Sequence, residues 1–193
     1  AVFAELQKPA PKNHFTVGIE DDVTHLSLPY EIYETANPTL SDSECFECVF
    51  YGLGSDGTVS ANKNSIKIIG EQTGLHAQRY FVYDSKKSGA VTASHLRFGN
   101  NAIRSAYLIG NGRARYIGCH QTLFLEKYAV LEKAAPGAVF LLNTSASREQ
   151  VWDSLPRPLQ QDMLAKNLRF YIIDAYRVAQ DNGLGRRLNT IMQ

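Results

Sequence analysis

One short run constrains this chain more than any other: Gly52-Leu53-Gly54-Ser55-Asp56-Gly57-Thr58. It follows the apolar residues 46–51. It precedes residues 58–73, where Val59, Ile66 and Ile69 recur at helical spacing before Gly74. A G-x-G-x-x-G between a strand and a helix is a βα turn that lets backbone approach a pyrophosphate. Its unpaired N–H groups and the helix dipole favour an anion, and Ser55 and Thr58 add hydroxyl donors. The same turn also works without a ligand, with Asp56 or Thr58 as the N-cap. Both readings stand at this point.

The rest of the chain alternates in the way such a turn requires. Residues 79–84 and 91–98 read as strands, as do 106–109 and 116–119, the last two pairing across Gly110-Asn111-Gly112. Residues 122–134 read as a helix ended by Pro136-Gly137, and 138–142 as a buried strand. Ser147-Arg148-Glu149-Gln150 has the form of a capping box opening a helix through Trp152. Residues 159–166 form another helix, 170–173 a strand, and 175–180 a helix closed by Gly183. The expectation for residues 43–193 is an α/β fold: a mainly parallel, Rossmann-like sheet flanked by helices. Residues 1–42 contain Pro9, Pro11, Pro29 and Pro38, with only residues 15–19 strand-like. They read as an irregular N-terminal arm, with a turn at Glu20-Asp21-Asp22 and Thr24.

Composition narrows the function classes. The 193 residues carry twenty Lys and Arg against nineteen Asp and Glu, a net charge of +1, which argues against a nonspecific nucleic-acid binder. No apolar run approaches the ~20 residues that cross a bilayer, so a soluble protein is expected. Three cysteines cannot pair evenly, so reduced thiols in the cytoplasm are expected. Cys45 and Cys48 form a C-x-x-C, but no second pair accompanies it and Cys48 leads into an apolar run. Ala1 and the untapered close at Gln193 suggest a piece of a longer polypeptide.

A second loop invites an anion. Asp84 lies beyond the ~20-residue spacing usual for a carboxylate that holds a ribose hydroxyl. Lys86, Lys87 and Ser88 follow it, and compact cations with a hydroxyl suit a ribose phosphate, as in NADP or coenzyme A. The lysines equally suit a solvated loop. His95 and Arg97 share one face of their strand, Lys63 rides the first helix, and His120 follows a strand at a plausible ligand edge. No nucleophile accompanies His120, and no catalytic triad, acid pair or metal cage emerges.

Longer stretches carry a resemblance. The run from Tyr51 to Gly70 closely resembles the pyruvate:ferredoxin (flavodoxin) oxidoreductases, as does Tyr80-Phe81-Val82-Tyr83-Asp84-Ser85-Lys86-Lys87-Ser88-Gly89. Ser94-His95-Leu96-Arg97-Phe98-Gly99, Ile103-Arg104-Ser105, Cys119-His120-Gln121 and Leu141-Leu142-Asn143 look like the same family. So do Pro11-Lys12-Asn13-His14-Phe15-Thr16, Asp21-Asp22-Val23-Thr24-His25 and the close from Gly183 to Gln193. Ser60 departs from the glycine many relatives have there, a small change inside a helix.

The resemblance covers nearly the whole chain, yet only one internal, gamma-type domain of a longer polypeptide. It implies an enzyme that converts pyruvate and coenzyme A to acetyl-CoA and carbon dioxide. Electrons would pass through [4Fe-4S] clusters to ferredoxin or flavodoxin, and thiamine diphosphate would serve as cofactor. The thiamine and cluster sites would belong to other domains, in keeping with the lack of a C-x-x-C-x-x-C run here. Expected partners are those other domains and a homodimer mate. For this domain the resemblance leaves coenzyme A. Gly54, Ser55, Asp56, Gly57 and Thr58 would line its pyrophosphate, Lys86, Lys87 and Ser88 its ribose phosphate, and Asn143 would close the edge. The alternatives are an NADP-binding dehydrogenase domain or a purely structural scaffold.

Overall fold

The computed structural model describes residues 1–29, 45–84, 90–104, 108–185 and 188–192. The chain divides into two compact units, Ala1–Ser41 and Asp42–Gln193. Among its described residues, the first includes one short helix, α1 (Val2–Leu6), which the sequence pattern does not predict. Its strand-like residues 15–19 make a single bridge, Val17 to Leu28. Asp22 closes the turn by accepting from the Thr24 amide and hydroxyl and from the Ser27 amide.

The second unit begins with β1 (Phe46–Leu53), α2 (Thr58–Gln72), β2 (His76–Tyr83) and β3 (Val91–Gly99). Then come β4 (Ala114–Cys119), α3 (Phe124–Lys127), β5 (Ala134–Asn143), α4 (Arg148–Ser154) and α5 (Arg157–Ala165). It closes with β6 (Arg169–Ile173), α6 (Ala175–Asp181) and α7 (Leu188–Ile191). Six strands form one sheet in the order β2-β3-β1-β4-β5-β6. β1, β4, β5 and β6 run parallel, while β3 runs antiparallel to both neighbours. The fold is α/β, as expected.

Strand alternation sends side chains to two helical layers. Val49 and Tyr51 of β1, Ile117 of β4 and Phe140 of β5 face one core, covered by Phe124, Leu125, Val151, Leu159 and Met163 from α3, α4 and α5. Cys48 and Phe50 face the opposite side with Leu96 and Tyr116, covered by Ile66 of α2. Ala175, Leu188 and Met192 pack with Leu141 and Ile173 on that same side. The chain therefore leaves β1 toward one layer and β4 toward the other. Between two adjacent parallel strands, that divergence opens a crevice at their C-terminal ends.

Four local expectations are corrected. Residues 122–134 hold only the four-residue α3, because the stretch after it makes turns whose carbonyls accept elsewhere. Glu132 O accepts from Gly112 N and Lys133 O from Ala114 N. Pro136-Gly137 lies inside β5, at the register shift between the pairs Ala114–Ala134 and Tyr116–Val139. A bulge tolerates the missing proline donor, and Gly137 takes φ +73° there. Residues 108 and 109 lie outside any strand, with Ile109 buried, its N–H donating to His95 Nδ1 and its O accepting from Lys133 Nζ. Residues 106 and 107 lie outside the described residues. Ser147 does open α4, but through its carbonyl, which accepts from the Gln150 and Val151 amides, and not through its hydroxyl.

Candidate functional site

The glycine run forms the turn from β1 into α2. Gly57 is the N-cap at φ +85°, a left-handed position where a side chain would be strained. Asp56 organises the turn from inside. Its Oδ2 accepts the Leu53 amide at 2.8 Å, and its Oδ1 accepts the Thr58 amide at 2.9 Å and the Thr58 hydroxyl at 2.5 Å. The Asp56 carboxylate thus sits as the turn's internal anion. Among the described residues, no acceptor meets the amides of Gly54, Ser55 or Gly57. Those three, with the first turn of α2, are the donors an incoming anion would find.

Across the crevice stands His120, just past β4. Its amide extends the β1–β4 ladder by donating to Tyr51 O at 2.9 Å. Its Nδ1 lies 2.7 Å from Thr58 Oγ1, and its ring packs edge-on against Phe50 with centroids 6.4 Å apart. The residue is buried, and its Nε2 has no hydrogen-bond partner. Burial holds the imidazole down to about 4, against the pull of the Asp56 carboxylate. Asn62 Nδ2, one turn along α2 from Thr58, and Ser94 Oγ on β3 are likewise buried without partners. Such orphaned atoms are uncommon in a settled core.

Asn143, at the end of β5, joins the crevice through His120. Its Nδ2 donates to His120 O at 3.1 Å and its Oδ1 accepts the Ala175 amide at 3.0 Å, tying β4 and β5 to the start of α6. Gln121 Nε2 reaches Tyr176 Oη of α6 at 3.4 Å. Asp56, Thr58 and Asn143 are therefore linked by a residue the sequence placed at a ligand edge but left unpaired. Only the fold could supply the partner, since Thr58 and His120 are 62 positions apart.

Lys86, Lys87 and Ser88 lie outside the described residues. Among the described residues, β2 ends at Tyr83 and β3 begins at Val91, which pairs with Leu53 at the head of the glycine run. Lys63 lies over the Phe81 ring, 5.5 Å from its centroid. His95 and Arg97 hold backbone instead of forming a pocket. His95 Nδ1 takes the Ile109 amide, and Arg97 donates to Glu47, Gln78 and Leu108 O. All three cysteines are free thiols and buried, and the described residues hold no cluster of three or more metal-ligating side chains.

A doubly wound sheet with a glycine turn at its crevice is shared by many proteins, so lineage comes from the sequence itself. Residues 47–193 match the profile of the pyruvate ferredoxin/flavodoxin oxidoreductases. The chain belongs to that family. It is 54% identical over 193 residues to the pyruvate-flavodoxin oxidoreductase of Rhodospirillum rubrum. It is 53% identical over 193 residues to the pyruvate:ferredoxin oxidoreductase of Moorella thermoacetica. Each alignment uses the whole chain but spans only 16% of the relative.

Within solved oxidoreductases the fold recurs. The pyruvate oxidoreductase subunit PORC of Thermotoga maritima matches with a TM-score of 0.56 at 18% identity, covering 77% of this chain and 72% of that one. The 2-oxoglutarate:ferredoxin oxidoreductase of Magnetococcus marinus, described with 2-oxoglutarate, coenzyme A and succinyl-CoA bound, matches with a TM-score of 0.56 at 15% identity. That match covers 77% of this chain and 23% of the other. At such identities the likeness is one of fold.

Proposed function

We propose that this oxidoreductase domain receives coenzyme A for an enzyme that oxidatively decarboxylates pyruvate to acetyl-CoA and carbon dioxide. In this reading residues 1–42 are an arm and 43–193 a gamma-type domain of a cytoplasmic homodimer that delivers electrons to ferredoxin or flavodoxin. Thiamine diphosphate and [4Fe-4S] clusters belong to other domains of the parent. No catalytic residue is assigned to this chain.

One observation carries the reading: the glycine turn at the β1–β4 crevice leaves the Gly54, Ser55 and Gly57 amides unengaged, and Leu53 at its head pairs with Val91, the first residue of β3. Coenzyme A presents a pyrophosphate and a ribose 3′-phosphate, two anions for two loops. Gly54, Ser55, Asp56, Gly57 and Thr58 line the pyrophosphate, with the amides as donors and Asp56 and Thr58 shaping the turn. Lys86, Lys87 and Ser88 take the ribose phosphate, and Asn143 closes the edge from β5. The coenzyme A in the Magnetococcus relative supports this by analogy.

The test is calorimetric titration of the parent enzyme with coenzyme A, 3′-dephospho-coenzyme A and NADP, together with the Lys86→Ala/Lys87→Ala variant. Weaker binding without the 3′-phosphate, and a raised coenzyme A KM in the variant, are expected. An unchanged KM would remove the lysines from the site. A preference for NADP would instead indicate a dehydrogenase-type domain. The Asp56 carboxylate already engages the inner donors of the turn, which favours a scaffold as the second reading. If the domain is a scaffold, the parent takes coenzyme A elsewhere and the Lys86→Ala/Lys87→Ala variant leaves its binding unchanged.

A further inference from the structure

Thr58 Oγ1 meets two groups at once, Asp56 Oδ1 at 2.5 Å and His120 Nδ1 at 2.7 Å. A hydroxyl has one proton to donate. Asp56 is an acceptor throughout, since Oδ1 also takes the Thr58 amide and Oδ2 takes the Leu53 amide. The Thr58 proton therefore goes to Asp56, and the Thr58 lone pair receives a proton from His120. That assigns His120 the tautomer with the proton on Nδ1 and leaves Nε2 as a bare, buried acceptor.

We propose that His120 is a positioning residue for the glycine turn. Its Nδ1–H orients the Thr58 hydroxyl, the hydroxyl holds Asp56, and Asp56 holds the Leu53 and Thr58 amides. What remains unengaged is the set at Gly54, Ser55 and Gly57. The relay is anchored at its far end, because Asn143 and Tyr51 bond both backbone groups of His120 and Asn143 reaches on to Ala175. Thr58 is fully buried, so water does not compete for its hydroxyl. Burial also keeps the imidazole neutral at ordinary pH. Where coenzyme A is concerned, the inference rests on the function proposed above, but the relay itself is testable without any ligand.

The experiment uses the parent oxidoreductase carrying His120→Leu or His120→Asn. Asparagine places an N–H donor near the position of Nδ1, and leucine supplies none. Two readouts are taken: amide hydrogen exchange over residues 53–58, and the KM for coenzyme A beside that for pyruvate. With His120→Leu, faster exchange at the turn is expected, β5 and β6 remaining protected. The coenzyme A KM should rise about tenfold, the worth of one well-made hydrogen bond, and the pyruvate KM should hold. His120→Asn should recover both readouts. If His120→Leu does not fold, Thr58→Val breaks the same relay while keeping the side-chain shape. Unchanged exchange in His120→Leu or Thr58→Val overturns the proposal, as does His120→Asn failing as badly as His120→Leu. Faster exchange with an unchanged coenzyme A KM upholds the relay and removes coenzyme A from the turn.

Discussion

The Thr58 side chain fills the space that a Cβ on Gly52 would need. Such a Cβ would stand 2.1 Å from Thr58 Oγ1 and 2.5 Å from Thr58 Cβ. The first glycine of the run is therefore required by packing: it lets α2 begin directly against β1 and brings the Thr58 hydroxyl within reach of Asp56 and His120.

Gly52→Ala should consequently displace Thr58 and destabilise the chain by about 3 kcal/mol, the scale of overpacking a tight core position. Gly54→Ala should differ, because a Cβ there meets only Thr92 Oγ1 at 3.7 Å, an ordinary contact. Urea unfolding of both variants checks the contrast. A similar loss from each would mean that the turn fails for some reason other than the Thr58 contact.

A second prediction concerns the buried charges on the β1–β3 pair. Arg97 Nε donates to Glu47 Oε1 at 2.7 Å, and both residues are buried, while the half-exposed Arg113 reaches Glu47 Oε2 at 3.1 Å. Arg97→Met leaves Glu47 to Arg113 and also removes the donor to Leu108 O and Gln78 Oε1. A loss of about 3–5 kcal/mol is expected. Lysine should recover little of it, since an ammonium cannot reproduce a planar fork with three separate partners. Unfolding curves for Arg97→Met and Arg97→Lys test both statements.

Acid should weaken the fold through histidine. Burial lowers His120 to about 4, and burial together with Lys133 and Arg97 lowers His95 to about 4, against 6.5 for a free imidazole. Between those values the unfolded chain binds protons that the folded chain refuses. Stability is therefore full above pH 6.5 and is lost as pH falls toward 4, by about 2 kcal/mol for each ring at pH ~5. Urea midpoints taken from about pH 7.5 to about pH 5 should fall accordingly, and His95→Gln should flatten the slope. A flat profile in the unsubstituted chain would contradict the burial of both rings.

The thiols should be inert. Cys48 and Cys119 are buried, and burial pushes both thiols up to about 12, with the Glu47 carboxylate adding to the effect at Cys48. Very little thiolate forms near neutral pH, so alkylation should be slow in the native chain and rapid in urea. Mass spectrometry after brief iodoacetamide treatment measures this. Rapid native labelling of Cys48 would reopen a redox role for the C-x-x-C at Cys45 and Cys48.

What the sequence determined by itself is local or patterned. The spacing of apolar residues predicts β1, α2, β3, β6 and α6 within a few positions, and the glycine run places its turn between β1 and α2. These features arise from near neighbours, so nearby residues suffice to read them. The long family-like runs carried lineage for the same reason. Where tertiary contacts took over, the reading failed. Residues 128–133 have helical composition, yet they form turns, and the Glu132 and Lys133 carbonyls serve residues 112 and 114. Pro136 was read as a helix stop, although a bulge in β5 accommodates it.

The candidate site divides in the same way. Gly54, Ser55 and Gly57 were legible because a turn advertises itself in sequence. That Asp56 turns inward was not legible, since the choice depends on which donors the fold presents to it. Nor could any spacing rule join Thr58 to His120. Their contact exists because β1 and β4 are neighbours in a sheet whose order departs from chain order. The sequence fixes which groups are available, and the pairing of distant strands decides which of them touch.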